Sequence, residues 1–368
     1  MKDFNYWKKL HEGEQLDEFS TDSIGLLWLK TKSIIRKELI AEFTQSNNII
    51  LNETALGKQF VELFDLLCKD TENSHKLLDA YIKEKNQNQI ATLDTEQLVS
   101  ELYKLKNFDW GGDYQNSLDK YLVSRYVKVH KSYDILISKF ETEINVAVQG
   151  YVLNSWYNHW SSILIEHIFK SNSLVLPTVG QIKSVDFFIN NIPFDLKVTY
   201  LPAEYIKFKR KEKGMPVELT FLKSKAAEAK ISFDKKAKDA DIYYEIVEKM
   251  KDKNDDFCNS VLATLKNEKL QILKEVQNNP KILAKWLYEN QGEMRFGSEN
   301  RLFLVLVDTD DFNSSWKLKR NLDLLKPTIM KYLDNFKSKK LEDLKVTFDY
   351  KGKPQTFTAL TDVIFVVK

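Results

Sequence analysis

Cysteine, proline and glycine are scarce in this 368-residue sequence, which contains two, seven and eleven of them. Cys68 and Cys258 are too few for a disulfide framework or a cysteine-rich zinc site, so we expect two reduced thiols. The five histidines include no H-E-x-x-H pattern, which argues against a zinc peptidase. Because glycine and proline interrupt helices, their scarcity favours long helical stretches.

Several nucleotide-binding and hydrolase signatures are also absent. The sequence has no G-x-x-x-x-G-K-[ST], no G-x-G-x-x-G and no G-x-S-x-G, which argues against an ATP-driven motor and a serine hydrolase. No apolar run approaches the ~18 residues of a membrane helix. The N-terminal stretch MKDFNYWKKLHEGEQ lacks the apolar core of a secretory signal. We therefore expect a soluble, cytoplasmic protein without a membrane partner.

Neither sign of charge predominates, since 55 Lys and Arg residues offset 53 Asp and Glu residues and leave a net charge of +2. Bulk charge therefore does not indicate a polyanion-binding protein, and any basic surface must be local. The apolar content of 43% is ordinary for a globular protein. The length is sufficient for two domains or for one large domain.

The pattern of apolar residues divides the chain into two regions. Residues 1–145 read almost entirely as helix, with breaks at Asn47-Asn48 and within 109–113. This region could serve recognition, dimerisation or support. Residues 146–368 are predicted to contain both helices and strands and to form a second domain.

The order of elements in the second region predicts its fold class. Helices are predicted at 146–170, 237–276, 280–290 and 316–336. Strands are predicted at 174–176 (ended by Pro177), in a hairpin at 184–200, in a buried run at 301–308, and in an antiparallel pair of 345–350 with 363–367. We therefore predict an α/β (α+β) fold, with a mixed central sheet flanked by helices and a large α-helical N-terminal region.

The stretch SVDFFINNIPFDLKVTY, residues 184–200, reads as two strands joined by Asn190-Asn191. Two asparagines suit the positive φ angles of a two-residue hairpin turn. The resulting register pairs Ile189 with Ile192, Phe187 with Phe194, and Val185 with Leu196. One face of the hairpin is then apolar, which fixes the register.

The opposite face of the same hairpin collects charged residues. Asp186 lies across from Asp195, and Lys197 follows on the same side by the two-residue period of a strand. Like charges opposite each other repel, which indicates a cation site rather than a stabilising pair. Hard oxygen ligands on adjacent strands suit Mg²⁺. Such an ion would polarise a phosphoryl oxygen and acidify a water, while Lys197 positions that water or stabilises developing charge.

This pattern, D-x8-D-x-K on a hairpin preceded by a helix, resembles the PD-(D/E)XK nuclease superfamily, which includes most type II restriction endonucleases. Val185 replaces the proline of the superfamily's name. A glutamate on the preceding helix often completes the metal site in that superfamily, and Glu166 matches it here. The resemblance covers roughly residues 150–368 by element order, and the helical region before residue 145 has no counterpart in the shared core.

The resemblance implies a restriction-endonuclease-like core and a Mg²⁺-dependent endodeoxyribonuclease, with Mn²⁺ as a possible substitute, that cuts double-stranded DNA to leave a 5′-phosphate. Asp186, Asp195 and Glu166 would hold the metal, and Lys197 would serve the nucleophilic water. A homodimer and a cognate DNA methyltransferase encoded nearby are the expected partners. Two alternatives stay open: a repair, junction-resolving or RNA-cleaving nuclease of the same fold, and a non-catalytic nucleic-acid-binding defence subunit.

Polar residues near the hairpin have two interpretations each. Thr199 either contacts a phosphate or lines the site. The basic run Lys207, Lys209, Arg210, Lys211 and Lys213 is either a solvated loop or a set of DNA-backbone contacts. Arg301, with Gln291 and Arg295, either supports the site or pairs with Asp308. His159 is expected to be structural or to lie on the surface.

Overall fold

The computed structural model describes residues 2–13, 15–107, 118–290, 298–350 and 352–368. Its strands are β1 (Val175–Ile182), β2 (Val185–Ile189), β3 (Ile192–Tyr200), β4 (Arg301–Val307), β5 (Lys345–Asp349) and β6 (Thr356–Val367). They form a six-stranded sheet in the order β1-β2-β3-β4-β6-β5. The first three strands are antiparallel neighbours, β4 is parallel to both β3 and β6, and β5 is antiparallel to β6. The predicted α+β class with a mixed sheet is confirmed.

Helices make up most of the remaining described chain. Those before the sheet are α1 (Phe4–Glu12), α2 (Ser23–Ser33), α3 (Lys37–Ser46), α4 (Leu56–Leu67), α5 (Thr71–Ala91), α6 (Thr95–Tyr103), α7 (Leu118–Leu122), α8 (Tyr133–Lys139) and α9 (Asn145–Lys170). Those within and after it are α10 (Ala203–Glu212), α11 (Glu218–Glu228), α12 (Asp239–Lys253), α13 (Asp256–Asn278), α14 (Pro280–Asn290), α15 (Leu322–Phe336) and α16 (Leu341–Leu344). The long helix predicted at 146–170 and the break at Asn47-Asn48 are confirmed. The break predicted within 109–113 lies outside the described residues, as do Gln291 and Arg295.

Aspartate side chains define where several of these helices begin. The Asp22 carboxylate accepts hydrogen bonds from the backbone N–H groups of Ile24 and Gly25 at the start of α2. Asp94 and Asp255 cap α6 and α13 in the same way. Such caps satisfy N–H groups that have no partner within the helix, so a polar residue before an apolar run fixes the first turn. No helix within the described ranges is long and apolar enough to cross a membrane.

The N-terminal helices share one apolar core with the first strands of the sheet. Trp7 and Trp28 are buried in the same cluster as Val185 and Phe188 of β2. The close approach of α1 to α2 requires Gly25, because a Cβ there would lie 2.5 Å from the Trp7 ring. The division into domains at residue 145 stays a prediction.

The centre of the sheet is covered on both faces, as the apolar run at 301–308 predicted. Leu302, Leu304 and Leu306 of β4 face a core that includes α9 and α15. Phe303 and Val305 point to the opposite core, which includes α10, α13 and α14. This alternation is the two-residue period of a fully buried strand.

Two strand predictions are wrong in detail. Pro177 does not end β1, which continues to Ile182, because β1 is an edge strand where a missing N–H costs no ladder hydrogen bond. The final strand is longer than predicted. Its first part, from Thr356 to Leu360, pairs with β5, and the stretch 363–367 pairs in parallel with β4 instead.

Two helix predictions are also corrected. The helix predicted at 237–276 is divided by Asn254, which adopts a left-handed conformation with φ of 47°, before Asp255 caps α13. The helix predicted at 316–336 begins as a 3-10 segment, Phe312–Arg320, and continues as α15.

Candidate active site

The hairpin of β2 and β3 turns at the two asparagines. Asn190 and Asn191 have φ angles of 49° and 66°, the positive values that a two-residue hairpin turn requires at both central positions. The predicted pairs Ile189–Ile192 and Phe187–Phe194 are confirmed. Lys30 of α2 donates to Asn191 Oδ1 over 3.1 Å and forms an ion pair with Asp79 of α5 at 2.7 Å. The N-terminal helices therefore hold the hairpin turn in place.

The predicted pairing does not continue to Val185 and Leu196. The β2–β3 ladder ends at Phe187 and Phe194, and Val185 packs in the N-terminal core. Asp186 Oδ2 instead accepts a hydrogen bond from the Leu196 backbone N–H at 2.7 Å. The cause is non-local, because β3 pairs with β4 from Asp195 onwards and separates from β2 there.

Asp195 and Lys197 lie next to each other on β3, as their spacing predicted. Lys197 Nζ is 2.9 Å from Asp195 Oδ1 and 2.8 Å from Oδ2. Asp195 is 6% exposed, and its Oδ2 has no hydrogen-bond partner of good geometry. This oxygen therefore has ion-pair contacts with Lys197 and Arg301 but lone pairs that a further ligand can use.

Asp186 is held beside Asp195 in an environment that disfavours its charge. Its pKa is raised to about 6, first by burial and then by the negative charges of Asp195 and Glu166, which together outweigh the hydrogen bond from Leu196 and the charge of Lys197. Desolvation and like charge are the two causes that keep a carboxyl protonated near neutral pH. A perturbed carboxyl beside a second carboxylate is characteristic of functional sites.

Glu166 does not join the two aspartates in a three-carboxylate site. Its carboxylate lies 2.7 Å from Lys170 Nζ, one turn further along α9. Within the described residues, no group of three or more His, Cys, Asp or Glu side chains is placed to hold a metal ion. The structure thus places Asp186 and Asp195 together, and the metal-binding role predicted for Glu166 stays a prediction. Two adjacent carboxylates fit Mg²⁺, which binds through one or two carboxylates and keeps several waters.

Sequence reasoning missed Glu299, which lies close to the pair. Glu299 is 2% exposed and accepts hydrogen bonds from Ser184 Oγ and from Arg301 Nη2, the latter at 3.1 Å. Burial raises the pKa of Glu299, and the charge of Asp195 acts in the same direction. The only available signal was an acidic residue two positions before a basic one at the start of a buried strand, which is too common to be diagnostic.

Arg301 supports the site rather than Asp308. The parallel register places Arg301 beside Asp195, with its Nε 3.9 Å from Asp195 Oδ2. Asp308 pairs with Lys368 instead, at 3.2 Å. Arg301 thus supplies a second positive charge near Asp195.

The basic run after the hairpin is helical, not a loop, and its residues differ in availability. Arg210 is 1% exposed and donates to Pro216 O and to Glu268, so it holds α10 against α13 and does not face a ligand. Lys207 and Lys209 form ion pairs with glutamates on their own helix. Lys211 is exposed and Thr199 is partly buried. The predicted DNA-backbone contact is therefore withdrawn for Arg210 and stays a prediction for Lys207, Lys209, Lys211 and Thr199.

Comparison with known proteins finds no relative of this chain: it matches no family model, no curated protein and no solved structure.

Proposed function

We propose that this chain is a Mg²⁺-dependent endonuclease of the type II restriction kind, with a restriction-endonuclease-like core that hydrolyses phosphodiester bonds in double-stranded DNA. The observation that carries the proposal is the pairing of Asp186 and Asp195 at the base of a hairpin, with Lys197 against the second carboxylate. The element order of the resemblance supports it: helix α9, the hairpin, and the buried strand β4.

Asp186 and Asp195 are the residues that would hold Mg²⁺, which supplies Lewis-acid activation of a phosphate and of an attacking water. Lys197 contacts Asp195 directly and so lies where it can orient that water or stabilise negative charge on the phosphate. Arg301 lies next to Asp195 and provides a second positive charge beside this carboxylate. Glu166, within electrostatic range of Asp186, would assist as the third acidic residue that the resemblance implies.

The energetic logic of the pair also supports the proposal. Two carboxylates held close together repel each other when no metal ion is bound, although Lys197 and Arg301 lie beside Asp195. A divalent metal ion would remove the repulsion between the carboxylates and offset the cost of burying the Asp186 charge. The unfavourable electrostatics of the metal-free state would therefore increase the affinity for Mg²⁺. The cytoplasmic location, a homodimer and a neighbouring DNA methyltransferase are parts of the same proposal.

The test is a cleavage assay with the purified full chain, its Asp195→Asn and Lys197→Ala variants, and duplex, branched and single-stranded DNA in the presence of Mg²⁺. Each variant should cut duplex DNA at least about 100-fold more slowly, the usual cost of removing a group that stabilises developing charge. Asp310→Asn and Lys266→Ala, which change exposed residues away from the hairpin, are the matched controls and should cut normally. Equal rates for Asp195→Asn and wild type would show that the assignment is wrong.

Metal binding gives a second readout that does not need the correct substrate. Calorimetric titration with Mn²⁺ should show binding to wild type that is lost in Asp186→Asn, because the amide removes one of two anionic ligands. If the protein binds metal but cleaves none of the DNA substrates, RNA becomes the proposed substrate. The absence of both would favour a non-catalytic nucleic-acid-binding subunit.

A further inference from the structure

Helix α8 has the composition of a buried helix but lies at the surface of this chain. Its residues Ile135, Leu136 and Ile137 occupy three different sides, because successive residues of an α-helix are about 100° apart. A helix that is apolar on all sides is normally found inside a core. The described part of the chain nevertheless buries none of the residues of α8, and Tyr133 at its start is 74% exposed.

The segments on both sides of α8 extend this apolar surface. We call residues 118–144 the arm. Its large apolar side chains with exposures of 40–74% are Val123, Val127, Val129, Tyr133, Ile135, Ile137 and Phe140. Large side chains in this number, each about half exposed, present on the order of 500 Å² of surface. A specific interface takes about 800 Å² from each partner, of which somewhat over half is apolar. The arm therefore offers enough apolar surface for one stable interface.

Charges at the two ends of α8 indicate which partner fits this surface. Lys131 lies five residues before Leu136, at the centre of the helix, and Glu141 lies five residues after it. Both charged side chains are exposed, and neither forms an ion pair with another described residue. Two antiparallel α8 helices related by a two-fold axis would place Lys131 of each copy beside Glu141 of the other. The surface is thus complementary to itself, which is what a two-fold dimer requires.

The same charges disfavour partners of other kinds. Asp134 lies within α8, and Glu141 directly follows exposed Phe140. A nucleic acid or an anionic membrane surface would be repelled by both carboxylates at the position where it contacts the apolar side chains. A second copy of the chain instead supplies a positive charge for Glu141.

We propose that the arm is the surface through which two copies of this chain associate, with their α8 helices antiparallel. The inference gives a location to the homodimer that belongs to the proposed function, but association itself requires neither metal nor DNA. The arm continues directly into α9, which carries Glu166 near Asp186. Dimerisation through the arm therefore connects the two candidate sites through continuous helical segments. The use of both sites on one DNA duplex rests on the proposed function.

The first test is sedimentation velocity of the full chain, without DNA or divalent metal, over a range of protein concentrations. Wild type should dimerise. Ile137→Lys places a charge in the apolar surface and should weaken the dimer at least about 30-fold, as expected for the loss of a central interface contact. Ile282→Lys is the matched control, because Ile282 of α14 is 48% exposed and Ile137 is 46% exposed. It should dimerise like wild type.

The second test examines the antiparallel arrangement. Lys131→Glu and Glu141→Lys each place like charges opposite each other twice in the dimer, and each should weaken association about tenfold or more. The double variant Lys131→Glu/Glu141→Lys restores opposite charges at both positions and should recover most of the loss. Two unrelated structural effects would instead add to each other.

Each outcome supports or overturns the inference. Wild type that stays monomeric up to about 100 µM overturns it, because interfaces of standard size bind more tightly than this. A dimer that Ile137→Lys leaves unchanged also overturns it, as does a double variant that associates no better than the single variants. Should Ile137→Lys fail to fold, the exposed charge variants still decide. A failure of association is distinct from a failure of the proposed nuclease activity, which the cleavage assay detects separately.

Discussion

Two regions of this molecule bury charged side chains, and they do so in opposite ways. Between α10 and α13, the buried guanidinium of Arg210 meets the carboxylate of Glu268, so opposite charges compensate each other. At the base of the hairpin, the like charges of Asp186 and Asp195 are held together with Lys197 as their common counter-charge. The first arrangement stabilises the folded state. The second destabilises it, which is the reason that we propose a function for the second and not for the first.

The largest expected change in stability comes from the compensated pair. Glu268→Gln leaves the Arg210 charge buried without an anion, and we expect a loss of about 3 kcal/mol in the free energy of unfolding. Urea denaturation measures it. Glu212→Gln, which removes one partner of the more exposed Lys209 pair, is the control and should cost less than about 1 kcal/mol. Equal effects would remove the distinction between the buried pair and a surface pair.

Removal of one charge from the like-charged pair, Asp186 and Asp195, should increase the free energy of unfolding. Asp186→Asn removes a charge that burial and Asp195 disfavour but keeps an oxygen that can accept the Leu196 N–H. We expect a gain of about 1–2 kcal/mol at pH 7.5 without metal, less than the ~3 kcal/mol implied by the pKa shift because the new amide nitrogen must be desolvated. A loss of stability in the variant would show that the two aspartates do not oppose folding.

The pH dependence of the same variant follows from the sign of the shift. The pKa of Asp186 is about 6 in the folded chain and 3.8 as its ordinary value, so between these limits the folded state binds more protons than the unfolded state. Stability contributed by this group is therefore lost as pH rises from about 4 to about 6. Wild type and Asp186→Asn should be nearly equal near pH 4, diverge as the pH rises from about 4 to about 6, and keep a constant difference above pH 6, as urea denaturation across this range will show.

A smaller effect tests how Ser184 holds Glu299 near Asp186 and Asp195. Ser184 has a φ of 65° and donates to buried Glu299. Both Ser184→Ala and Ser184→Gly lose this hydrogen bond, but only glycine relieves the left-handed backbone. Ser184→Gly should therefore be more stable than Ser184→Ala by about 1 kcal/mol in thermal unfolding. Equal melting temperatures would show that the turn is not strained.

The features predicted correctly from the sequence are those that depend on residues close together in the chain. The turn at Asn190-Asn191, the proximity of Asp195 and Lys197, and the buried strand at Arg301–Val307 all follow from side-chain type and spacing over a few residues. Pairings that depend on distant segments were predicted less well. Val185 left the predicted register because the N-terminal core takes up its side chain, and β6 divides its length between two partners.

The candidate site shows the same division. Asp186, Asp195 and Lys197 were identified because one hairpin carries all three. Glu299 was not identified, and the choice between the two interpretations of Arg301 could not be made, since both depend on the register of β3 against a strand about a hundred residues later.

The parallel pairing of β3 with β4 also constrains how the chain acquires its structure. Asp195 and Arg301 become neighbours only after helices α10 to α14 have been made, since that whole segment connects the two strands. Contacts across so large a loop form slowly, because closure entropy must be met before the contact contributes. During synthesis, the hairpin with both aspartates leaves the ribosome long before the arginine that lies beside them. The nascent chain therefore carries an incomplete candidate site until β4 pairs with β3, and the sheet itself is complete only after β5 and β6 have followed.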